Sequence, residues 1–391
     1  MKHIILKDTP EAHTRLLPLT FTRPAGELTV GLSTICEKWR RYLPGEYSYS
    51  TVDYLSELYP QTQTSSDAST TITIAGNLLP DASLAAAIGA LVPGEELHSP
   101  DGTILAQTGN CDGSRIKIHE HDIRMINRPC DIFLLNGEIL KEDFGAITRG
   151  LTSEPISPTC TVIGDAGAVF IARGARVEGV MLNTTGGPIY IGEGAEVMEG
   201  SCLRGPIGIM EHATVNMCTR IYGATTISTH CKVGGEINNV VMFPYSNKAH
   251  DGFLGNAVIG SWCNLGAGCV ASNLKNDYTE IKLWDYESRR FLRTGLQFCG
   301  LIMGDHSKAG INTMFNTATV CGVGVNIHGT GFPRNFVASF SEGSAGSGFS
   351  DVPMSKFFAI AERVMARRDV TLTDADRRMY EAIHAMTQCL R

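Results

Sequence analysis

The sequence lacks the features that would place it in a membrane, in a secreted disulfide scaffold or on nucleic acid. No run of 18 apolar residues occurs, and the apolar stretch at the amino terminus is too short for a secretory signal. The net charge of −7 does not favour the broad basic face that nucleic acid requires, although it allows a local basic pocket. We therefore expect a cytoplasmic protein that binds neither membrane nor nucleic acid.

The twelve cysteines show none of the spacings of a metal or disulfide site. They form no CxxC pair, they do not cluster with histidines at zinc spacing, and no two histidines lie five residues apart. Reduced cysteines that act as small core residues are the better interpretation, and we expect no metal site. Six of them lie among small apolar residues in the middle of the chain: Cys202, Cys218, Cys231, Cys263, Cys269 and Cys321.

What the sequence does contain is glycine, with 42 residues in 391, and a repeat of six. Aliphatic residues recur at every sixth position in one long run: Ile191, Val197, Leu203, Ile209, Val215, Ile221, Ile227 and Val233. A helix would need a period near 3.6 and a lone strand a period of 2. A period of six is typical of short strands joined by sharp corners, and three such hexads close one triangular coil of a β-helix.

The hexad returns further along the chain. It recurs at Phe253, Ile259 and Leu265, and then at Met303, Ala309, Phe315, Cys321 and Ile327. The interruptions near 183–190, 239–252 and 271–300 predict loops that leave the coil.

The two ends of the chain lack this repeat. Residues 1–155 mix apolar runs at 3–6, 71–75 and 131–135 with a helix-like stretch at 83–90, which predicts a small α/β domain with a surface loop at 65–70. We expect the β-helix to span 156–340.

Residues 341–350 are typical of a flexible linker. Helices are predicted over 354–367 and from Thr373 to 390, so we expect 341–391 to be a linker with a short helical tail.

Residues 247–273 carry a more specific pattern, NKAHDGFLGNAVIGSWCNLGAGCVASN. This segment resembles the acetyltransferase half of the bifunctional GlmU family, which makes UDP-N-acetylglucosamine, because FLGNAVIG and NLGAG keep that family's spacing without a gap. The chain looks closer still to a variant bacterial group of GlmU-like proteins with a shortened, truncated nucleotidyltransferase-like amino-terminal domain. The resemblance implies that the β-helix is left-handed and that the protein is a homotrimer with sites between subunits.

The resemblance also implies roles for individual residues. His250 falls on the catalytic histidine, and Ala267, beside Gly266, falls on the position whose backbone N–H faces the acetyl carbonyl. Residues that match or lie near sugar-phosphate-binding positions are Asn264, Asn273, Phe253, Arg220, Tyr222 and Glu236. Phe253 lacks the family's tyrosine hydroxyl, and Tyr222 stands where a phosphate-binding arginine is expected. These departures concern the acceptor and leave the groups for acyl transfer in place.

Each of these residues also has a structural alternative. An imidazole is suited to remove a proton near neutral pH, and a glycine-flanked N–H is suited to an oxyanion, yet His250 could be a solvated loop residue. Asn264 and Asn273 could be corner residues, because asparagine tolerates left-handed turns. Lys248 could hold a phosphate, and Lys308 and Arg334 could hold coenzyme A, or all three could be ordinary surface charges.

The amino-terminal domain carries a partial nucleotidyltransferase pattern. Residues 15–20, RLLPLT, resemble an element of the sugar nucleotidyltransferases, but the glycine-rich loop that should precede it is replaced by DTPEAH at 8–13. The side chains that could form a phosphate and base site are Arg15, Thr20, Arg23, Asn127, Arg128 and Asn136. A degenerate domain retained for assembly is the alternative, and both remain open.

Three functions follow from these patterns. The first is acetyl (or other acyl) transfer from acetyl-CoA to an amino-sugar 1-phosphate such as glucosamine 1-phosphate, coupled to nucleotidyl transfer from UTP with Mg²⁺. The second is nucleotidyl transfer alone, with the β-helix as a trimer scaffold. The third is a non-catalytic protein that binds a nucleotide sugar.

Overall fold

The computed structural model describes residues 2–60 and 71–391, so the loop predicted at 65–70 lies outside the described residues. The chain divides into two compact units. Unit 1 comprises residues 1–29 and 33–131, and unit 2 comprises residues 30–32 and 132–391. Among the described residues, no helix combines the length and the apolar character needed to cross a membrane.

Unit 1 is built on a mixed six-stranded sheet. Its first strand pairs in parallel with strands on both sides, the next two pairings are antiparallel, and the last strand at the far edge pairs in parallel with its neighbour. In sheet order the strands are Glu46–Ser50, His3–Lys7, Thr71–Ala75, Ile104–Thr108, Glu96–His98 and Ile116–Ile118. Ile4 and Leu6 are fully buried on the first strand, which has a neighbour on each side, and the run at 3–6 therefore forms a strand as predicted.

Unit 1 contains the α-helices α1 (Pro10–Arg15), α2 (Ile35–Tyr42) and α3 (Ala82–Gly89). Thr34 begins α2 with a capping box to Glu37, and Asp81 caps α3 by accepting from the Leu84 N–H. Short strands pair Leu78–Leu79 with Arg124–Met125, and two further short strands are Thr29–Val30 and Ser33–Thr34. The α/β class predicted for this end of the chain is confirmed.

The apolar run at 131–135 is not a strand. It lies in α4 (Pro129–Thr148), a helix of 20 residues. The run is also compatible with helical spacing, since Ile132, Phe133, Ile139 and Leu140 are all buried on this helix. Five apolar residues cannot by themselves distinguish a buried helix segment from a strand.

Unit 2 is a left-handed parallel β-helix with three faces, as predicted. The first face contains strands Thr161–Ile163, Met181–Asn183, Cys202–Arg204, Arg220–Tyr222, the start of Glu236–Met242, the start of Phe253–Ile259, Val270–Ala271 and Met314–Phe315. The second face contains Val169–Ile171, Ile189–Ile191, Ile207–Ile209, Thr225–Ile227, the ends of Glu236–Met242 and Phe253–Ile259, Ile302–Met303, Val320–Cys321 and Phe336–Val337. The third face contains Arg176–Val177, Glu196–Val197, Thr214–Val215, Lys232–Val233, Asn247–Lys248, Asn264–Leu265, Lys308–Ala309, Asn326–Ile327 and Ser341–Ser344.

The predicted hexad is the inward-facing residue of each strand. Leu203, Ile209 and Val215 come from the three faces of one coil and are at most 1% exposed. Ile209 pairs with Ile227 in the next coil, a step of three hexads. Each coil therefore buries its aliphatic residues against the coils on either side, which contributes roughly 2 kcal/mol per side chain.

The interruptions of the hexad have different structural outcomes. Residues 271–300 do leave the coil and contain an antiparallel hairpin, Lys282–Asp285 with Arg290–Arg293. Residues 239–252 stay in the coil, contrary to the prediction. There Val233 pairs with Lys248 and Ile237 with Leu254, so the coils are shorter than three hexads and the inward residue is Leu254, not Phe253. The number of residues per coil changes in this segment, but the β-helix continues through it.

The end of the chain also differs in part from the prediction. Residues 341–350 are a hairpin rather than a linker, in which Ser341–Ser344 pairs with Gly348–Asp351. Glycine is needed at 343 because a Cβ there would lie 2.0 Å from the Gly348 carbonyl oxygen. The predicted helices are present as α5 (Met354–Ala366) and α6 (Asp374–Thr387), and Thr373 caps the latter.

All twelve cysteines are free thiols. Cys231, Cys263, Cys269 and Cys321 are core residues of the β-helix, as predicted, and burial raises the pKa of each of these four thiols. Cys202 and Cys218 are exposed instead, because one points outward from a strand and the other lies at a corner with φ of 59°.

Candidate functional site

His250 lies at the edge of the β-helix where the third face turns into the first. It follows strand Asn247–Lys248 and precedes strand Phe253–Ile259. Its side chain is exposed, and the imidazole has no hydrogen-bond partner among the described residues. The turn is compact because Gly234, one coil below, leaves room for it: a Cβ at 234 would lie 2.3 Å from the Ala249 carbonyl oxygen. His250 is thus a solvent-accessible imidazole on a tightly packed corner.

Ala267 occupies the same corner one coil further on. Asn247 pairs with Asn264, and the Gly268 N–H donates to the Asp251 carbonyl at 3.1 Å, which fixes the register between the two corners. Successive coils are about 4.8 Å apart. The Ala267 carbonyl accepts from the Asn312 N–H, whereas no acceptor for the Ala267 N–H lies within hydrogen-bonding distance in the described part of the chain. Gly266 lies in the same corner and donates its N–H to the Ala309 carbonyl, so it offers no donor to a ligand.

Lys248 does not bind a phosphate at the surface, contrary to the sequence interpretation. It takes the inward position that aliphatic residues hold in other coils, and it is 1% exposed. Its ammonium donates to the carbonyls of Gly234 at 3.1 Å and His250 at 2.7 Å. Lys248 therefore ties the His250 corner to the coil below. Burial lowers the pKa of Lys248 to about 8.

We expect Lys248→Met to change the pH dependence of stability. The pKa of Lys248 is lower in the folded chain than in the unfolded chain. Below about pH 8 the lysine is charged in both states, and burying the ammonium lowers the free energy of unfolding. Above about pH 8 the folded chain holds the neutral amine, so this cost disappears as the pH rises toward the pKa of the unfolded lysine. Wild type should therefore gain stability relative to Lys248→Met between pH 8 and about 10.4, by on the order of 2 kcal/mol. Urea unfolding of both proteins at several pH values measures this. If the free energies of unfolding of the two proteins change with pH in the same way, the lysine is not buried as an ammonium. The comparison removes the contribution of the buried cysteines, because both proteins contain them.

Three of the predicted acceptor-binding residues form a column on the outer side of the first face. The Cα of Glu236 pairs with Arg220 on one side and Phe253 on the other. The Glu236 carboxylate accepts from the Tyr222 hydroxyl at 2.6 Å and lies 3.9 Å from the Arg220 guanidinium. The hydrogen bond to Glu236 raises the pKa of Tyr222. The structure thus brings Arg220, Tyr222, Glu236 and Phe253 together beside the His250 corner.

Asn273 lies at the opposite edge of that face. Its amide donates to the Asn256 side-chain oxygen at 2.7 Å, and a Cβ on Gly255 would lie 2.8 Å from the Asn273 amide nitrogen. The Phe253 ring also packs over Gly255, since that Cβ would lie 2.5 Å from Cζ of Phe253. Asn273 is therefore held in a polar cluster near Phe253 rather than at the His250 corner.

Asn264 and Lys308 lie on the third face, where their Cα atoms are paired. Asn264 is exposed, while the Lys308 ammonium donates to the carbonyls of Trp262 and His306, both at 2.9 Å. Burial lowers the pKa of Lys308 to about 8. Both residues line a cavity of about 440 Å³ on this face.

Arg334 does not share that cavity. It is exposed and lines a different cavity of about 500 Å³ together with Phe336, Phe349 and Arg391. The two residues predicted to hold coenzyme A thus line different cavities of the chain, and their role toward that ligand stays a prediction.

The nucleotide-binding set predicted in the first domain is only partly accessible. Thr20 is fully buried and donates to the His13 carbonyl at 2.6 Å, so its role is structural. Arg15 ends α1 and is exposed, and Arg23 is half-buried beside Thr22. Where a glycine loop would offer N–H groups to phosphates, the buried Asp8 carboxylate accepts from the Ala25 N–H at 3.1 Å.

The other three members of that set also have structural partners. Asn127 accepts from the Asn77 amide at 3.1 Å, and Arg128 forms an ion pair with Asp131 at 3.0 Å. Asn136 belongs to unit 2, where it is fully buried, accepts from the Gly31 N–H at 2.7 Å and donates to the Ala224 carbonyl at 2.8 Å. Asn136 is therefore not a nucleotide ligand. Its side-chain oxygen also accepts from the Thr226 hydroxyl at 3.2 Å, so three hydrogen bonds of this amide attach α4 and residue 31 to the β-helix.

Mg²⁺ is the metal that nucleotidyl transfer would require, and the fit of unit 1 can be tested at Asp8. Its oxygens are engaged by the Ala25 N–H, by the Thr51 hydroxyl at 2.9 Å and by His13 at 3.6 Å. Within residues 2–60 and 71–391 there is no group of three or more histidine, cysteine or acidic side chains that could hold a metal ion. The residues present do not fit a magnesium site at the end of the first strand.

Sequence reasoning missed the other residues that line the third-face cavity. They are Lys232, Tyr245, Asn247, Ala249, Trp262, Cys263, Val364, Arg367 and Arg368. Tyr245 and Trp262 recur at one corner of successive coils, with His212 and His230 below them, and this spacing was a signal in the sequence. The contribution of Arg367 and Arg368 had no such signal, because it depends on how α5 packs on the third face.

A family model described as sugar nucleotidyl transferase matches residues 4–152. The chain is similar to the bifunctional protein GlmU of Gloeobacter violaceus, with 29% identity over 85 residues, which are 21% of this chain and 18% of that protein. The chain thus matches less than a fifth of the length of this curated relative.

Solved structures of acyltransferases show weaker likenesses. One is a variant of AntD, an N-acyltransferase from Bacillus cereus, in complex with dTDP-4-amino-4,6-dideoxyglucose and coenzyme A, at 13% identity and a TM-score of 0.23, covering 53% of this chain and 91% of that one. Another is the UDP-N-acetylglucosamine acyltransferase of Francisella novicida, at 12% identity and a TM-score of 0.22, covering 56% and 74%. At these TM-scores neither likeness carries an argument about function.

Proposed function

We propose that this chain is an acyltransferase that moves an acetyl or other acyl group from a coenzyme A thioester to the amine of a phosphorylated amino sugar. The observation that carries the proposal is the corner where an exposed imidazole, His250, is stacked one coil below an unpaired N–H, that of Ala267. A general base and an oxyanion donor are the two groups that acyl transfer to an amine requires. The resemblance of residues 247–273 to the GlmU acetyltransferases assigns the same roles to the same two positions.

The chemistry at this corner can be written from the residues present. The amine nitrogen attacks the thioester carbonyl carbon, and His250 takes the proton that the amine loses. The oxygen of the tetrahedral intermediate accepts a hydrogen bond from the Ala267 N–H. The C–S bond then breaks, and the thiolate leaves and takes up a proton from the His250 imidazolium, which restores the neutral base. Lys248 contributes by holding the His250 carbonyl and acts as a positioning residue.

The first-face column supports an acceptor with both a cationic and an anionic contact. Arg220 is half exposed and can meet a phosphate, while the Glu236 carboxylate and the Tyr222 hydroxyl can hydrogen-bond a sugar. The Phe253 ring offers an apolar surface to a pyranose. We infer a sugar phosphate as the acceptor, with glucosamine 1-phosphate as the first candidate, and a final nucleotide sugar such as UDP-N-acetylglucosamine.

Nucleotidyl transfer by unit 1 is the second candidate function, and the family-model match over residues 4–152 favours it. Arg15 and Arg23 are the accessible cations that would meet the phosphates of UTP. The Asp8 carboxylate at the expected phosphate position opposes it, since a carboxylate there repels an anion. We therefore place acyl transfer first, and a non-catalytic nucleotide-sugar-binding role for unit 1 remains compatible with the same residues.

A trimer is part of the proposal. The outer side of the first face carries exposed apolar side chains on both sides of the Arg220–Phe253 column: Met181, two coils before Arg220, at 42%, and Val270, in the coil after Phe253, at 36%. Such side chains are suited to contact another copy of the chain. An acceptor bound beside His250 would then be enclosed by a neighbouring subunit.

The test is an assay of thiol release from acetyl-CoA with glucosamine 1-phosphate, N-acetylglucosamine 1-phosphate or no acceptor. We expect release only with the free amine, from a particle three times the 42.2 kDa of the chain by light scattering. The same reactions with UTP and Mg²⁺, scored for pyrophosphate, measure the second function. Pyrophosphate release without any thiol release, across a panel of amino-sugar phosphates and nucleotide amino sugars, would contradict acyl transfer and leave nucleotidyl transfer standing.

A further inference from the structure

The cavity on the third face concentrates positive charge in a chain that is acidic overall. Four cations line it, Lys232, Lys308, Arg367 and Arg368, and none of the described residues that line it is acidic. None of the four forms an ion pair with a carboxylate among the described residues. Unpaired cations repel one another, so a site that gathers four of them is electrostatically incomplete without an anion.

The Lys308 ammonium is directed at backbone carbonyls in the wall of the cavity, and burial lowers its pKa to about 8. Arg368 donates weakly to the His230 carbonyl at 3.4 Å and to the Asn247 side-chain oxygen at 3.5 Å, which leaves donors of its guanidinium for a ligand. Lys232 and Arg367 are exposed, and their side chains make no hydrogen bond within the described residues.

The aromatic wall of the cavity adds to this preference for an anion. Tyr245 and Trp262 stack on each other with ring centroids 4.1 Å apart and an angle of 5° between their planes, and His230 and His306 cover the outer faces of the pair. The faces are therefore occupied, and the rings present their edges to the cavity. Aromatic edges carry the positive part of the ring quadrupole. They suit an anion or the edge of a ribose better than a stacked base.

We propose that this cavity binds the diphosphate group of a nucleotide. Four cations exceed what one phosphate needs, a volume of about 440 Å³ is in the range of small-molecule sites, and Asn247 and Asn264 supply neutral hydrogen bonds for a ribose. Ala249 also lines the cavity and is followed directly by His250. A nucleotide bound here extends its other end toward the catalytic corner, and this last step rests on the proposed acyl transfer, whereas the binding itself does not.

Two ligands of the proposed reaction carry a nucleoside diphosphate. One is the acyl donor, since coenzyme A contains a phosphorylated ADP group, and the other is the nucleotide-linked sugar that the coupled reaction would form. Calorimetric titration of the purified chain with coenzyme A, UDP, pyrophosphate and inorganic phosphate distinguishes them. We expect pyrophosphate to bind more tightly than phosphate, and the tighter of coenzyme A and UDP identifies whether the acyl donor or the nucleotide sugar occupies the cavity.

The double variant Lys232→Gln, Arg367→Gln removes two of the cations without disturbing a protein hydrogen bond. We expect it to weaken nucleotide binding at least tenfold and to reduce the salt dependence of the affinity. Arg363→Gln, which removes one exposed charge on α5 outside the cavity, is the matched control and should bind as wild type does.

Unchanged binding by the double variant, equal weakening by Arg363→Gln, or no binding of coenzyme A, UDP or pyrophosphate at about 1 mM would each overturn the proposal. Loss of acyl transfer in His250→Ala with normal binding of the nucleotide would support both this site and the catalytic corner. Nucleotide binding that depends on Lys232 and Arg367 in a protein without acyl transfer would retain the site and reject the proposed function.

Discussion

His250→Ala is expected to lower kcat for acyl transfer by about 10²–10⁴ while KM for both substrates changes less than about threefold. The imidazole acts only when the amine loses its proton, so its removal affects the transition state and not the bound ground state. The Ala267 N–H and the binding surfaces remain, which is why some turnover should persist. Steady-state kinetics of thiol release at saturating acceptor measures the effect.

A histidine on the same edge of the β-helix provides the control. His328 is exposed, follows the third-face strand Asn326–Ile327 and lies 3.9 Å from Glu342, and we assign it no role. His328→Ala should retain full activity. If the two variants lose activity equally, or if His250→Ala turns over at the wild-type rate, His250 is not the base.

Gly252→Ala is expected to destabilise the protein by about 3 kcal/mol and to lower acyl transfer with it. Gly252 has a φ of +126°, and a Cβ there would lie 2.0 Å from the Cys269 carbonyl oxygen in the next coil. The position of a Cβ is fixed by the backbone at residue 252 and the oxygen belongs to the backbone of Cys269, so neither atom can rotate away, and the coils must separate. The displaced corner carries His250, two residues earlier. Thermal unfolding and the assay above measure the two effects.

Gly145→Ala is the matched substitution at an unrestricted glycine. Gly145 lies in α4, is exposed, and a Cβ there would have no atom within 4 Å. Alanine in a helix is favoured over glycine, so this variant should gain about 0.5–1 kcal/mol and retain activity. Equal stability of Gly252→Ala and Gly145→Ala would contradict the close packing of the two corners.

Together these variants separate two contributions to the site. His250→Ala removes the reacting group and leaves its support unchanged, whereas Gly252→Ala leaves the group and displaces its support. Lys248→Met also leaves the reacting group in place and weakens its support, because it removes an ammonium that holds the His250 carbonyl from inside the coil.

The sequence by itself determined the coil, because a buried residue at every sixth position is satisfied only by strands that turn a corner after each hexad. It also placed His250 beside Ala267, since the segment 247–273 preserves a local spacing and the next coil follows within 17 residues. Local patterns likewise determined both carboxyl-terminal helices, through the cap at Thr373 and the apolar spacing of Phe357 and Ala361.

Only the tertiary structure decided which way the polar side chains point and what covers them. Lys248 and Asn264 look equally exposed in the sequence, yet one is inside the coil and the other outside, because coils of 15 and 17 residues shift the register of the strands. Asn136 is buried and accepts a hydrogen bond from Gly31, which is more than a hundred positions away in the sequence. Arg367 and Arg368 line the same cavity as Lys232, which is also more than a hundred positions away in the sequence. A repeat determines which residues are neighbours within a coil and in the next coil. Contacts between residues far apart in the sequence depend on tertiary packing, which no local spacing encodes.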